Sequence, residues 1–220
     1  MEMQPQTALL NKEQIRVFPP FQNLSAERIV ILKTIEQCLT IQDELNQISI
    51  FGFDTESKPT FKVGEKSTGP HLIQLATLHK AYLFQVNDEI LHFLKPILES
   101  EQQLKVGFGL KNDAHIFRAK GIVPQSLVDL AKCFASFGYR SQVGVQTAVA
   151  LLFQTYLAKS KKVSTSNWAV KNLSPQQISY ATADAYAALL IFQYLEQHQL
   201  LPTSMQQQIS KIQHASASKT

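Results

Sequence analysis

Asp54 and Glu56 stand two residues apart at the end of the run ISIFGFDTE, Ile48 to Glu56. Its β-branched and aromatic residues predict a buried strand. Side chains two apart on a strand leave the same face of the sheet, so the carboxylates sit side by side, while Phe51 and Phe53 alternate to the opposite face. Adjacent like charges repel unless a cation lies between them. The alternative is that both point into solvent where the strand exits to a loop. Asp113 falls in the first turn of an expected helix, where an acid also complements the helix dipole without doing chemistry. Tyr180 and Asp184, in YATAD, are four apart and share one helix face. Asp is a poor helix-interior residue. Ala181, Ala183, Ala185, Ala187 and Ala188 around it suit close packing on a sheet better than exposure.

These residues need elements to hold them. A cap at Ser25 and apolar residues at Ile29, Leu32, Ile35, Leu39 and Leu45 predict helix before the first strand. Residues 57–69, with Pro59, Gly64 and Gly69, read as a loop. HLIQLATL and AYLFQV, split by His79 and Lys80, predict a hairpin. A helix opens at Asp88, a short strand runs from Leu104 to Gly107, and a helix from about Leu110 to Lys120 ends at Gly121 and Pro124. Residues 129–158 are expected to be largely helical with breaks near Gly138 and Gly144, and Lys159 to Leu173 to form a basic loop. Ser174 then caps a helix, Pro175 takes its first position and Gln177 completes a capping box. That helix runs to about His198. The pattern is α/β, a mixed β-sheet flanked by helices. Three segments are expected: an N-terminal arm over residues 1–23, one domain over 24–201, and a polar C-terminal tail over 202–220, disordered on its Gln and Ser content.

Several function classes drop out. The chain has 220 residues, 45% hydrophobic and 17% charged, enough for a full core without disulfides. Cys38 and Cys133 have no metal-finger spacing and read as reduced thiols. No window approaches the roughly 18 apolar residues of a membrane helix, and the N-terminus lacks a signal-peptide pattern. A cytoplasmic protein without membrane association is expected. Gly64 and Gly69 have P-loop spacing, but Pro70 replaces the required lysine. Gly107 and Gly109 suggest a dinucleotide fingerprint, but Asn112 takes the third glycine's place and no acid ends a second strand. The six histidines include no HxxxH pair, and GxSxG is absent. The net charge is +4, and no Asp or Glu occurs from Leu130 to Ala183, where Lys132, Arg140, Lys159, Lys161, Lys162 and Lys171 fall. Such a stretch suits phosphates. A basic surface that balances acids elsewhere would read the same way.

Taken together, FDTE, VGFGLKNDAHIF and NWAVKNLSPQQISYATADAYAAL resemble the three motifs of DEDD-type 3′–5′ exonucleases. The resemblance spans about Leu24 to Leu200. Each motif is weak alone, but all three occur in order, on a strand, a helix and a helix. Tyr180 lies four before Asp184, and Ser179 occupies the place of the histidine variant's His, so the chain resembles the tyrosine variant. The Asp-x-Glu loop with Pro59, the LIQLAT strand and Asn167-Trp168 are most similar to the Werner-type branch, with ribonuclease D next to it. A ribonuclease H-like fold is implied.

The resemblance implies hydrolysis of phosphodiester bonds at a nucleic-acid 3′ end, single-stranded or frayed, with DNA slightly favoured over RNA. Two divalent cations can activate water and stabilise the leaving oxygen. Oxygen-only ligands suit Mg²⁺ or Mn²⁺ rather than zinc. By resemblance, Asp54 bridges both ions, Glu56 and Asp184 complete the site of the ion that activates water, and Asp113 holds the second through its waters. Tyr180, with an ordinary pKa near 10, orients the water rather than acting as base. Lys159, Lys161, Lys162 and Lys171 are candidates to hold the strand's backbone. Trp168 is a candidate to stack on a base, though packing is its more ordinary role. His115 and Cys133 read as structural. Two alternatives remain: a non-catalytic nucleic-acid-binding or docking module on the same fold, and a two-metal phosphohydrolase acting on small nucleotides.

Overall fold

The computed structural model describes residues 10–60 and 68–217. In chain order, the N-terminal part contains α1 (Lys12–Arg16), β1 (Ile29–Leu32), α2 (Ile35–Leu39) and α3 (Gln42–Asn46). Next come β2 (Ile50–Glu56), β3 (Leu72–Ala76), β4 (Ala81–Gln85), α4 (Asp88–Leu98), β5 (Leu104–Gly107), α5 (Lys111–Ala119) and β6 (Leu127–Asp129). Helices α6 (Val145–Phe153), α7 (Lys161–Ser164), α8 (Pro175–Gln197) and α9 (Thr203–Ala217) complete the chain.

The strands form one mixed sheet in the order β1-β4-β3-β2-β5-β6. β3 runs antiparallel to both neighbours, with Gln74 opposite Asp54 of β2 and Leu83 of β4. The other pairings are parallel. One sheet face buries Phe51, Phe53, Ile73, Leu75 and Phe84 against Ile90, Leu94 and Leu98 of α4 and Phe117 of α5. The other packs Leu104, Val106 and Val128 against α6 and α8.

Helix α8 lies directly on β2. Its start is fixed locally: the Ser174 hydroxyl accepts from the Gln177 amide, and the Gln177 side chain accepts from the Ser174 amide. Its approach is set by Gly52, where an added Cβ would stand 2.0 Å from the Ala185 carbonyl oxygen and 3.0 Å from the Leu189 Cβ. The obstacle is backbone, so helix and strand would have to separate. Gly52→Ala should therefore cost at least about 3 kcal/mol, the upper end for overpacking. Gly144→Ala, where nothing lies within 4 Å of the added Cβ, serves as the reference and should be nearly neutral. Urea denaturation of both variants measures the difference, and equal midpoints would contradict this account.

Four expectations need correction. Ile29 to Leu32 is a strand, because pairing with β4 overrides a spacing that happened to suit a helix. Leu127–Asp129 is an edge strand too short to show a period, and the segment after it forms two 3₁₀ turns before α6. The basic loop contains α7, capped by Ser160. The tail is helical as α9, with Ile209 buried and Met205 and Ile212 packed on the α6–α8 core. Its few apolar residues suffice once a core is there to receive them.

The part of the arm that is described is tied down. Phe21 N donates to the Tyr156 carbonyl, Tyr156 N to the Pro19 carbonyl, and the Asn23 side-chain amide to the Ser179 carbonyl. Residues 1–9 and part of the 57–69 loop lie outside the described residues. No helix among the described residues is long and apolar enough to cross a membrane.

Candidate nuclease site

Asp54 and Glu56 leave β2 on the face that α8 covers, two and four residues beyond Gly52. Asp184 precedes Ala185, the residue in contact with Gly52, so the close helix–strand approach carries its side chain over the strand end. Carboxylate oxygens of Asp54, Glu56 and Asp184 all lie within 4.8 Å of one another, and Asp184 is 5% exposed. Asp113 approaches from α5. It is not one of those three, and it accepts a hydrogen bond from the Thr55 hydroxyl.

The electrostatics follow from this crowding. Burial, then the charges of Asp184, Glu56 and Asp113, push the Asp54 carboxyl well above the usual range. Burial and Asp184 raise Glu56 to about 8. Asp113 is raised by burial, with the Thr55 hydrogen bond opposing. Asp184 is also raised by burial, against the pull of Lys159 and of the Tyr180 hydroxyl. Burial and Asp184 raise the Tyr180 hydroxyl, which keeps it a proton donor. The Tyr180 ring lies 6.0 Å from the Trp168 ring.

Such a cluster favours protons or cations. A carboxyl whose folded pKa exceeds its unfolded value contributes no penalty below the unfolded pKa, and stability is lost as pH rises toward the folded value. For Glu56 that window runs from 4.5 to about 8. In chelator, the melting temperature should therefore fall between about pH 5 and pH 8. Added Mg²⁺ should remove most of the fall. A pH-independent melting temperature in chelator would contradict the crowding described.

The structure brings four of the five expected catalytic residues onto β2 and α8, with Asp113 alongside on α5. The expected strand-binding residues separate. Lys161 and Lys162 on α7, and Lys171 beyond it, are exposed. Lys159 instead turns inward, its Nζ 2.8 Å from Oδ2 of Asp184 and 5.3 Å from the centre of the Tyr180 ring. Burial works to lower its pKa, but Asp184, Tyr180 and Asp54 outweigh that and raise it. Trp168 is 1% exposed and donates its indole N–H to the Ser164 carbonyl, so stacking on a base is corrected to packing under Tyr180. One residue was missed, and one expected residue faces the other way. Thr55 continues the Phe51 and Phe53 side of β2 as a polar residue, which alternation could have flagged. The inward turn of Lys159 had no sequence signal beyond its charge.

The mixed sheet with helices on both faces and carboxylates at the end of a central strand is the ribonuclease H-like arrangement of nucleases. Residues 29–199 match the model of the 3′–5′ exonuclease family, and the chain belongs to that family. It is 29% identical over 165 residues to a mouse (Mus musculus) bifunctional 3′–5′ exonuclease/ATP-dependent helicase, covering 70% of this chain and 11% of that protein. It is 26% identical over 171 residues to ribonuclease D of Gluconacetobacter diazotrophicus, covering 76% of this chain and 42% of the relative. The chain thus spans well under two thirds of either relative. The Aedes aegypti Nibbler exonuclease domain shares the fold at TM-score 0.70 and 21% identity, over 87% of this chain and 98% of that one. Trypanosoma brucei RNase D, solved in complex with RNA, does so at TM-score 0.66 and 18% identity, over 83% and 64%.

Proposed function

We propose that this chain is a metal-dependent 3′–5′ exonuclease of the tyrosine variant, removing nucleotides from a single-stranded or frayed nucleic-acid 3′ end. The observation that carries the reading is the trio Asp54, Glu56 and Asp184, crowded within 4.8 Å at the end of β2. The donor set fits hard divalent cations: every ligand is a carboxylate oxygen, and every carboxyl there has its pKa raised. Asp54, Glu56 and Asp184 would hold one ion, with Asp54 and Asp113 holding a second. Bound Mg²⁺ or Mn²⁺ would lower the pKa of an attacking water and offset charge on the leaving oxygen.

The chain's own groups supply orientation. Thr55 fixes Asp113 by the hydrogen bond it donates. Tyr180 stays protonated, so its hydroxyl aims a nucleophile and does not take its proton. A cavity of about 260 Å³, lined by Phe21, Tyr156, Ser179, Tyr180 and Ala183, shares Tyr180 with the site and would take the terminal nucleotide. Exposed Lys161, Lys162 and Lys171 would follow the phosphate backbone. Similarity to the Werner-type branch favours DNA. The RNA complex of the trypanosomal neighbour makes RNA the substrate to compare, because discrimination rests on the 2′-hydroxyl.

End-labelled oligonucleotides test the reading. A ladder shortening from the 3′ end should appear with Mg²⁺ or Mn²⁺ and vanish in EDTA. Ca²⁺, which tolerates looser geometry, should support binding with little cleavage. Full activity in chelator would remove the metal reading. Matched DNA and RNA strands, with recessed and overhanging ends, then establish the preference.

A further inference from the structure

Among the described residues, Lys159 is the basic side chain that enters the carboxylate cluster. Its Nζ stands 2.8 Å from Asp184 Oδ2, with side-chain exposures of 28% and 4% respectively. The Lys159 side chain thus reaches solvent along part of its length, and the carboxylate does not. One ammonium also falls short of what the site requires. Asp54, Glu56 and Asp184 crowd within 4.8 Å, and once they are ionised one positive charge leaves them under-neutralised where desolvation is costly. A divalent cation answers that deficit better, and it would take the carboxylate that Lys159 now holds. The Tyr180 ring, 5.3 Å from Nζ, gives the departing ammonium a surface to slide along. Lys159 is followed by Ser160, the α7 cap, and by exposed Lys161 and Lys162, so it belongs to a segment that is already basic.

We propose that Lys159 is the site's own exchangeable cation. Its ammonium neutralises Asp184 in the metal-free chain, and metal loading turns it outward onto a phosphate of the substrate strand. The proposal rests on the metal-dependent reading above. It adds a coupling: the amine and the metal compete for one carboxylate, and the displaced amine becomes a strand contact available only to the loaded enzyme.

Three measurements on the full chain test it, none requiring turnover. Calorimetric titration with Mn²⁺, without nucleic acid, should show Lys159→Met binding metal about 5- to 150-fold tighter than the unchanged chain, the usual size of a coupling between competing ligands. Lys161→Met removes the same charge nearby and should change affinity by no more than about twofold, since exposed charges are screened. Amine labelling of the unchanged chain, read by mass spectrometry, should modify Lys159 slowly in EDTA and several-fold faster in Ca²⁺. This arm needs no variant to fold. Oligonucleotide binding in Ca²⁺ should weaken in Lys159→Met, with the slope of log affinity against log salt reduced by about one. In EDTA the same substitution should leave strand affinity unchanged. Equal Mn²⁺ affinity in variant and unchanged chain, labelling as slow in Ca²⁺ as in EDTA, or unaltered strand binding in Ca²⁺ each overturns the proposal and leaves the metal reading standing. Absence of Mn²⁺ binding in both chains removes the metal reading and the proposal together.

Discussion

Asp54→Ala is expected to abolish cleavage while leaving the metal-free fold as stable as before, or more so. Both halves follow from the crowding at the end of β2. Asp54 is the carboxylate on which all three others press, since Asp184, Glu56 and Asp113 push its pKa upward after burial has done so. Its recorded hydrogen bond is short-range, accepted at Oδ1 from the Thr55 amide. Deleting the side chain therefore removes little that holds the fold and relieves repulsion among the rest. It also removes the proposed shared ligand, so Mg²⁺ should restore neither cleavage nor the metal-induced gain in melting temperature. Melts in EDTA and in Mg²⁺, beside a labelled-oligonucleotide assay, separate these effects. A variant that unfolds without metal would show that Asp54 is a structural residue.

Tyr180→Phe should reduce the chemical step by about 10²–10⁴-fold, the usual contribution of a positioned proton-transfer or hydrogen-bonding group. The substitution is clean because the ring keeps its packing on Trp168, at 6.0 Å between centroids. Only the hydroxyl, which favours the charged form of Asp184, is lost. Thermal stability and strand affinity should barely move. Single-turnover cleavage at saturating Mg²⁺ isolates the step from product release. A rate within about threefold of the unchanged chain would take Tyr180 out of the mechanism and leave it a packing residue.

The carboxylates were legible in the sequence because their positions depend on local periodicity. Alternation along β2 puts Asp54 and Glu56 on one face, and four-residue spacing puts Tyr180 and Asp184 on another. The start of α8 was legible for the same reason, since its capping box closes within four residues. What failed depended on distant partners. Ile29 to Leu32 becomes a strand through β4, about fifty residues on. Helix α9 is held by a core assembled from β5, α6 and α8, with Met205 S 3.3 Å from Cys133 S, and composition alone reads it as disordered. Lys159 belongs here too. Its charge was counted, but its direction is set by an acid 25 residues later on another element.

The intimacy between Gly52 and Ala185 has a consequence for how substitutions in this protein would be classified. Asp184 is the neighbour of Ala185 in the chain, and Tyr180 is one turn before Asp184, so a larger residue at position 52 would lift the proposed proton donor and the proposed ligand from the strand together. A survey that scores only nuclease activity would then place Gly52 in the same rank as Asp54 and Asp184, although glycine has no side chain with which to do chemistry. Scoring abundance of folded protein in parallel would tell them apart. Carboxylate variants should be plentiful and inactive, and Gly52 variants scarce.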